Sequence, residues 1–336
     1  MARYEPLPRL LQEKWGHLNF ITFQGSGEWS AECPQCRDYG HVGNDDPDRF
    51  RMFQADGQSG ERGWCRRCNF FAWADDPAGD GPSPEAIQAA KEERLRLAKQ
   101  EMERQQQKIQ AIEEAAFWRG WHEAMTDRQR RLWHTQGIPD YFIDYYKLGY
   151  VTHHTYYHDG QELISPAMTI PHYGDEWHLT NIQYRLTQPA NGAGKYRQTA
   201  GLPAAMFRTE PEQELQGATM IVEGAKKGIV SYMHLGRAPL GFPLNIVAVP
   251  SKTPSGKMLE ELADCEPIYI ALDPDAYEPM RTRRGRQPSA AERVGEKLGD
   301  RVLYVQFPAK PDDLIVDYGL DGEDLKKYLK RATKTI

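Results

Sequence analysis

Met220-Ile221-Val222-Glu223-Gly224 and Ile268-Tyr269-Ile270-Ala271-Leu272-Asp273-Pro274-Asp275 are two short apolar runs that each stop on acid, with 50 residues between Glu223 and Asp273. Runs of this length bounded by Gly or Pro read as buried strands, and the stretch between them carries helical periodicity. The order that follows is strand 219–222, helix 225–235, strand 245–249, helix 255–263, strand 267–272, helix 289–298, strand 301–305, with a last helix at 322–334. Strands alternating with helices imply right-handed crossovers and a parallel sheet. Ligands of such sheets collect outside the carboxyl ends of the strands, so Glu223, Asp273 and Asp275 are expected along one edge, where hard oxygen donors suit Mg²⁺. An acid after a strand also serves as an ordinary helix N-cap. Two acid clusters on two strands of one sheet favour the metal.

Upstream of this sheet the composition changes three times. Residues 1–80 hold four of the five cysteines, many aromatics and a turn-rich 57–63, the pattern of a small β module. Residues 84–125 are Ala, Glu, Lys, Arg and Gln, without an internal Gly or Pro before Gly120, and read as one long helix. Its apolar positions are sparse, so it suits a tether between domains or a coiled-coil segment, with a reach of roughly 60 Å. Residues 126–216 mix a helical start with strand-like runs at 163–171 and 177–186. The expected layout is α/β multidomain: a module at 1–80, a helical linker at 84–125, a mixed α+β subdomain at 126–216, a parallel-sheet α/β subdomain at 217–320 and a closing helix at 321–336.

Cys33-Pro-Gln-Cys36 and Cys65-Arg-Arg-Cys68 are two CxxC pairs 28 residues apart. Four thiolates on two knuckles match a closed tetrahedral structural zinc site, with no open catalytic position. Disulfides are the alternative, and paired CxxC motifs without a secretory signal favour metal. His41 is a weaker candidate ligand. Beside the knuckles lie Arg49, Phe50, Arg51, Phe53, Arg62, Trp64, Arg66, Arg67, Phe70, Phe71 and Trp73. Interleaved rings and guanidinium groups suit the stacking of single-stranded bases, although several of the rings also suit the module's own small core.

The chain has 336 residues, 40% hydrophobic and 27% charged, with a net charge of −6. A polyanion must therefore meet local basic surfaces, and Arg281-Thr282-Arg283-Arg284-Gly285-Arg286 is the densest of these. No apolar run approaches the about 18 to 20 residues of a membrane span, and the first residues lack a signal-peptide core, so a cytoplasmic location without membrane contact is expected. Arg185, Lys195, Arg197 and Lys227 are the cations expected to meet phosphates. The Gly-Lys pairs at 194–195 and 256–257 lack the rest of a phosphate-binding GxxxxGK[ST] loop.

Together these residues resemble the TOPRIM-type DNA primases of bacteria and their phages (DnaG-like, phage or plasmid type). The four-cysteine ribbon comes first. Tyr146-Lys-Leu-Gly-Tyr150 looks like the family's entry to the polymerase domain, and Arg185 followed by Lys195-Tyr196 is similar to its basic motif. Val222-Glu223-Gly224 and Leu272-Asp273-Pro274-Asp275-Ala276 look like its two acidic motifs, and Lys310-Pro-Asp312-Asp313 resembles the downstream acidic element.

The resemblance implies RNA primer synthesis on single-stranded DNA from ribonucleoside triphosphates, in a bacterial or phage-infected cell, alongside a separate replicative helicase. It implies one structural zinc on Cys33, Cys36, Cys65 and Cys68. It also implies one or two Mg²⁺ or Mn²⁺ ions on Glu223, Asp273 and Asp275, with Asp312 as a further candidate. Template and nucleotide would meet Arg185, Lys195, Tyr196, Arg197, Lys227, Arg66, Arg67 and Trp64. Two departures stand out: Lys227 where family members commonly place an Asp, and Tyr277 with the basic insertion up to Arg286 in place of an Ala-Gly. A TOPRIM nuclease or topoisomerase-like strand breaker would use the same acids. A non-catalytic recombination mediator would keep the folds without the chemistry.

Overall fold

The structure is a computed structural model that describes residues 6–19, 21–25, 27–34, 36, 50–55, 60–66, 70–75, 84–282 and 285–335. It divides into two compact units, Met1–Met102 and Glu103–Ile336. The molecule is mixed α/β with several sheets. Among the described residues no helix is long and apolar enough to cross a membrane.

Among its described residues the first unit holds a five-stranded antiparallel sheet, a short helix, α1 (Arg9–Trp15), and the start of a long helix at Pro84. The strands β1 (Thr22–Gly25), β2 (Glu28–Ala31), β3 (Phe50–Phe53), β4 (Arg62–Cys65) and β5 (Phe71–Trp73) pair in chain order. Because strand side chains alternate between faces, Phe50, Met52, Cys65 and Ala72 turn inward onto Leu11 and Trp15 of α1. Trp15 meets Phe50 edge-on at 5.1 Å between ring centroids. Gly63 is required there: a Cβ would stand 2.2 Å from Phe50 Cζ and 2.9 Å from Trp15 Cη2.

The long helix differs from the expected 84–125 span. α2 (Pro84–Ala115) ends where Ala116 takes a left-handed conformation, φ 46° and ψ 21°, and α3 (Phe117–Glu123) starts in a new direction. The break lets Ile112 and Trp118 enter one core with Tyr173, Leu179 and Ile182, so the end of α2 is packed structure in the second unit. The boundary between the two units falls inside α2, after Met102.

In the second unit, α4 (Asp127–His134) starts from a Thr126–Gln129 capping box and α5 (Asp140–Tyr145) follows. An antiparallel sheet comes next, β6 (Gly149–His158), β7 (Gln161–Tyr173), β8 (Leu179–Leu186) and β9 (Tyr196–Gln198), in that spatial order. β6 has no counterpart among the sequence expectations. It is an edge strand of Thr, His and Tyr, exposed along much of its length, and so lacks an apolar alternation to betray it.

The remaining elements are β10 (Phe207–Arg208), β11 (Thr219–Glu223), α6 (Ala225–Leu235), β12 (Asn245–Val249), α7 (Gly256–Glu260), β13 (Ile268–Ile270), the hairpin β14 (Met280–Thr282) and β15 (Gly285–Gln287), α8 (Ala290–Leu298), β16 (Val302–Tyr304), α9 (Pro311–Val316) and α10 (Gly322–Lys330). The second sheet runs β10-β12-β11-β13-β16. The four strands expected to be parallel are so, and β10, which has no counterpart among the sequence expectations, adds an antiparallel edge. Both faces are covered, as parallel strands require. Met220, Val222, Ile246 and Ala248 pack with Ile229 and Val230 of α6, Leu314 of α9 and Leu325 of α10. Ile221, Val247, Val249 and Ile270 pack with Met258 of α7 and Val294 of α8. The first of these cores also takes in Trp133, Tyr146, Met168 and Ile170, so the two sheets of this unit share one interior.

Candidate active site

β11 ends on Glu223, and Gly224 at φ 85° turns the chain from strand into α6. A residue with a Cβ adopts that backbone poorly. The amide of Gly224 donates to Val249 O at 2.8 Å, which ties the end of β11 to the end of β12. Beyond β13 the chain stays paired, Ala271 N donating to Ile221 O, so Asp273 emerges beside Glu223. Tyr277 Oη then donates to Ile270 O at 2.6 Å and lies 2.9 Å from Val305 O, which fastens the short 3₁₀ turn Pro274–Tyr277 that carries Asp275.

Carboxylate oxygens of Glu223, Asp273 and Asp275 lie within 4.8 Å of one another. Helix capping does not account for them. Gly224, not Glu223, is the N-cap of α6, and the Asp273 side chain makes no cap hydrogen bond. Hard oxygens converging at this distance fit a divalent cation such as Mg²⁺. Burial first, and the neighbouring Asp273 second, push the Glu223 carboxyl above its ordinary range, against the pull of Lys227. Asp275 is held low by its hydrogen bond from Lys252.

The carboxylates open into a cleft of about 590 Å³ lined by Glu223, Lys252, Asp273, Asp275, Lys310 and Asp313, among others. Lys252 was not among the residues expected there, and of the Lys310–Asp313 stretch that resembles a downstream acidic element it is Lys310 and Asp313, not Asp312, that line the cleft. Lys252 follows β12 and Lys310 with Asp313 follows β16, so the rule that located the acids, applied to every parallel strand, would have found them. Three ammonium groups engage the acids: Lys227 bonds Asp273 Oδ1, Lys310 stands 3.8 Å from Asp273 Oδ2, and Lys252 bonds Asp275 Oδ2 at 2.6 Å. Asp312, the further candidate ligand, lies outside the group of three carboxylates. It is 3% exposed and its Oδ2 pairs with Lys226 Nζ at 2.5 Å.

The expected phosphate-binding residues divide. Lys227 is at the acids, whereas Arg185, Lys195, Tyr196 and Arg197 belong to β8, β9 and the turn between them and do not line the cleft. There Arg185 pairs across the strands with Tyr196, and Arg197 with Tyr184. The Arg197 guanidinium lies 5.2 Å over the Tyr156 ring, and His154 stacks on Tyr184 at 3.9 Å. Tyr196 is exposed.

In the first unit, thiols of Cys33, Cys36 and Cys65 gather within 4.8 Å. Cys36 Sγ and Cys65 Sγ are 3.6 Å apart, far beyond the roughly 2.05 Å of a disulfide. Buried thiols converging at this distance fit zinc. Cys68 and Arg67, as well as His41 and Arg49, lie outside the described residues. The face of this sheet turned away from α1 carries Arg51, Phe53, Arg62, Trp64, Phe71 and Trp73 in register: Arg51 opposite Trp64 opposite Phe71, and Phe53 opposite Arg62 opposite Trp73. Trp64, Phe71 and Trp73 are each close to 40% exposed. Arg62 stacks on Phe53 at 5.3 Å, and Arg66 is exposed in the turn after β4.

No protein-family model matches the chain, and no curated protein does. Solved structures of similar fold include the zinc-binding and RNA polymerase domains of the Aquifex aeolicus primase, at 15% identity and a TM-score of 0.49, covering 96% of this chain and 83% of that one. A DnaG primase catalytic domain bound to ssDNA is 11% identical, with a TM-score of 0.48 and coverage of 68% and 83%. The RNA polymerase domain of Mycobacterium tuberculosis primase DnaG is 14% identical, with a TM-score of 0.46 and coverage of 68% and 84%. Likeness at this level carries no functional argument, which has to come from the residues.

Proposed function

We propose that the chain is a DNA primase that synthesises short RNA on a single-stranded DNA template from ribonucleoside triphosphates, working beside a separate replicative helicase. The observation that carries the reading is the convergence of Glu223, Asp273 and Asp275 within 4.8 Å at the carboxyl edge of the parallel sheet. A divalent cation on these oxygens would supply Lewis acidity toward an attacking hydroxyl and neutralise charge on the leaving phosphate. In the transfer a ribose 3′-oxygen forms a bond to the α-phosphorus, the bond from that phosphorus to the β-phosphate bridging oxygen breaks, and pyrophosphate leaves. The hydroxyl proton passes to solvent.

This chain's residues serve that chemistry by position and charge. The two acidic segments hang from adjacent strands, β11 and β13, and the Tyr277 hydroxyl pins the turn of Asp275 to the sheet. Lys252 and Lys310 stand at the mouth of the cleft with partly exposed ammonium groups, placed to meet triphosphate oxygens as they enter. In the first unit, Cys33, Cys36 and Cys65, with Cys68 from the sequence, would hold one structural zinc. The ring-and-arginine face behind that site offers stacking surfaces to single-stranded template.

The test is purified chain with single-stranded DNA, four ribonucleotides and Mg²⁺ or Mn²⁺, scored for short RNA and for DNA cleavage. Glu223→Gln and Asp273→Asn should each abolish the RNA product while DNA binding persists. DNA cleavage without RNA would replace the reading with a strand-breaking enzyme. DNA binding without either product would replace it with a non-catalytic mediator, which the neutralisation of Asp273 by Lys227 favours.

A further inference from the structure

The buried centre of the acidic cleft already holds a positive charge. Asp273 is 6% exposed, and each of its oxygens faces an ammonium, Lys227 at Oδ1 and Lys310 at Oδ2. The two lysines are not equivalent. The Lys227 side chain is 13% exposed and packed in the first turn of α6, whereas the Lys310 side chain is 52% exposed and 3.8 Å away. Lys252 on Asp275 is likewise 43% exposed. Long exposed lysines move into water at little cost, but a packed ammonium on a buried carboxylate is held by it.

Sites with two divalent cations set them about 3.5–4 Å apart and bridge them with a shared carboxylate. Asp273 is the buried member of the three and lies within 4.8 Å of both others. For it to bridge two cations, both lysines would have to leave, Lys227 among them.

We infer that the cleft takes a single divalent cation, on Glu223, Asp273 Oδ2 and Asp275, and that the Lys227 ammonium occupies the place of a second. The inference rests on the carboxylate cleft being the cation site of the proposed function. Lys310 and Lys252 are displaced by the cation and become available to phosphate. Lys227 stays as a fixed positive charge and is a positioning residue for Asp273.

The experiment is a Mn²⁺ titration of the full zinc-loaded chain without nucleotide, read from the electron paramagnetic resonance of unbound Mn²⁺. The expected stoichiometry is one Mn²⁺ per chain, lost in Asp273→Asn. Lys227→Met should still bind one and bind it at least tenfold more tightly, because no ammonium competes for Asp273. Lys227→Asp should bind two. Far-ultraviolet circular dichroism and the urea midpoint establish that each variant is folded. Two equivalents on the wild-type chain, or an unchanged affinity in folded Lys227→Met, overturns the inference while leaving the cation site standing. No Mn²⁺ on the wild-type chain overturns the cation site itself.

Discussion

Lys226 and Lys227 are neighbours in sequence, yet their ammonium groups meet different acids, and a substitution at Lys226 separates structural charge from functional charge. Lys226 Nζ pairs with Asp312 Oδ2 at 2.5 Å and reaches Gln136 Oε1 at 3.2 Å, which ties α6 to α9 and to the turn after α4. Asp312 Oδ1 has no hydrogen-bond partner among the described residues. Lys226→Met would therefore leave a buried carboxylate with neither oxygen satisfied. Breaking a buried pair from one side costs about 3–5 kcal/mol.

The expected loss is thus about 3–5 kcal/mol at pH 7. Asp312→Asn should cost less, about 1–2 kcal/mol, because Lys226 keeps Gln136 and is 16% exposed. The double change Lys226→Met with Asp312→Leu should recover most of the loss, since an apolar pair of similar volume replaces a buried ion pair at little or no cost. Urea unfolding of all four proteins at pH 7 measures these losses, and Mn²⁺ titration of the same samples measures the cleft. A Lys226→Met protein within 1 kcal/mol of the wild type at pH 7 would refute the energetic reasoning. Loss of Mn²⁺ binding in a stable Asp312→Asn protein would return Asp312 to the metal site.

Cys65→Ser should release zinc and unfold the first unit while the second retains its urea transition, since binding free energy at such a site is folding free energy; zinc content near zero in the wild type would end that reading. Trp64→Ala and Phe71→Ala should each weaken single-stranded DNA binding by about 1–3 kcal/mol at fixed salt without loss of fold, because both rings are exposed; fluorescence anisotropy at unchanged affinity would remove the face as a nucleic-acid surface. His172 is fully buried, its Nδ1 is 3.1 Å from Ala205 O, and burial pushes its pKa down to about 4. Between pH 4 and the unfolded value of about 6.5 the unfolded chain binds the proton and the native chain does not. Stability from this group is therefore complete above about 6.5 and is lost, by up to ~1.4 kcal/mol per pH unit, as the pH falls toward 4. His172→Gln should flatten that slope in urea midpoints taken at pH 5 and pH 7, and an unchanged slope would refute it.

The strands that carry the acids were legible because they are local signals. β11 and β13 are buried apolar runs, and helix α6 falls where its periodicity placed it, at Ala225–Leu235. The Cys33 and Cys36 thiols come together as their spacing implies, because a CxxC turn brings its own ends close, and Cys65 joins them from the end of β4. β6 and β10 were not legible. An exposed edge strand lacks a core-facing pattern, and a two-residue strand is defined only by its partner, here β12. The break at Ala116 was invisible for a related reason: alanine is the best helix former, and only packing of Trp118 and Ile112 into one core holds it left-handed.

At the candidate site, sequence determined that acids stand at the ends of two strands, since an apolar run ending on a carboxylate is readable within a few residues. Tertiary structure decided everything that depends on which strands are neighbours. The order β12-β11-β13-β16 brings Lys252 and Lys310 to the same cleft from loops far apart in the chain, and sends Asp312 to Lys226 instead. It also sets the Lys227 ammonium on Asp273, so the positive charge in the cleft is as much a product of the fold as the negative. Strand order arises from non-local pairing and face-to-face burial, and Coulomb energies depend on distance through space, which residue spacing along the chain does not report.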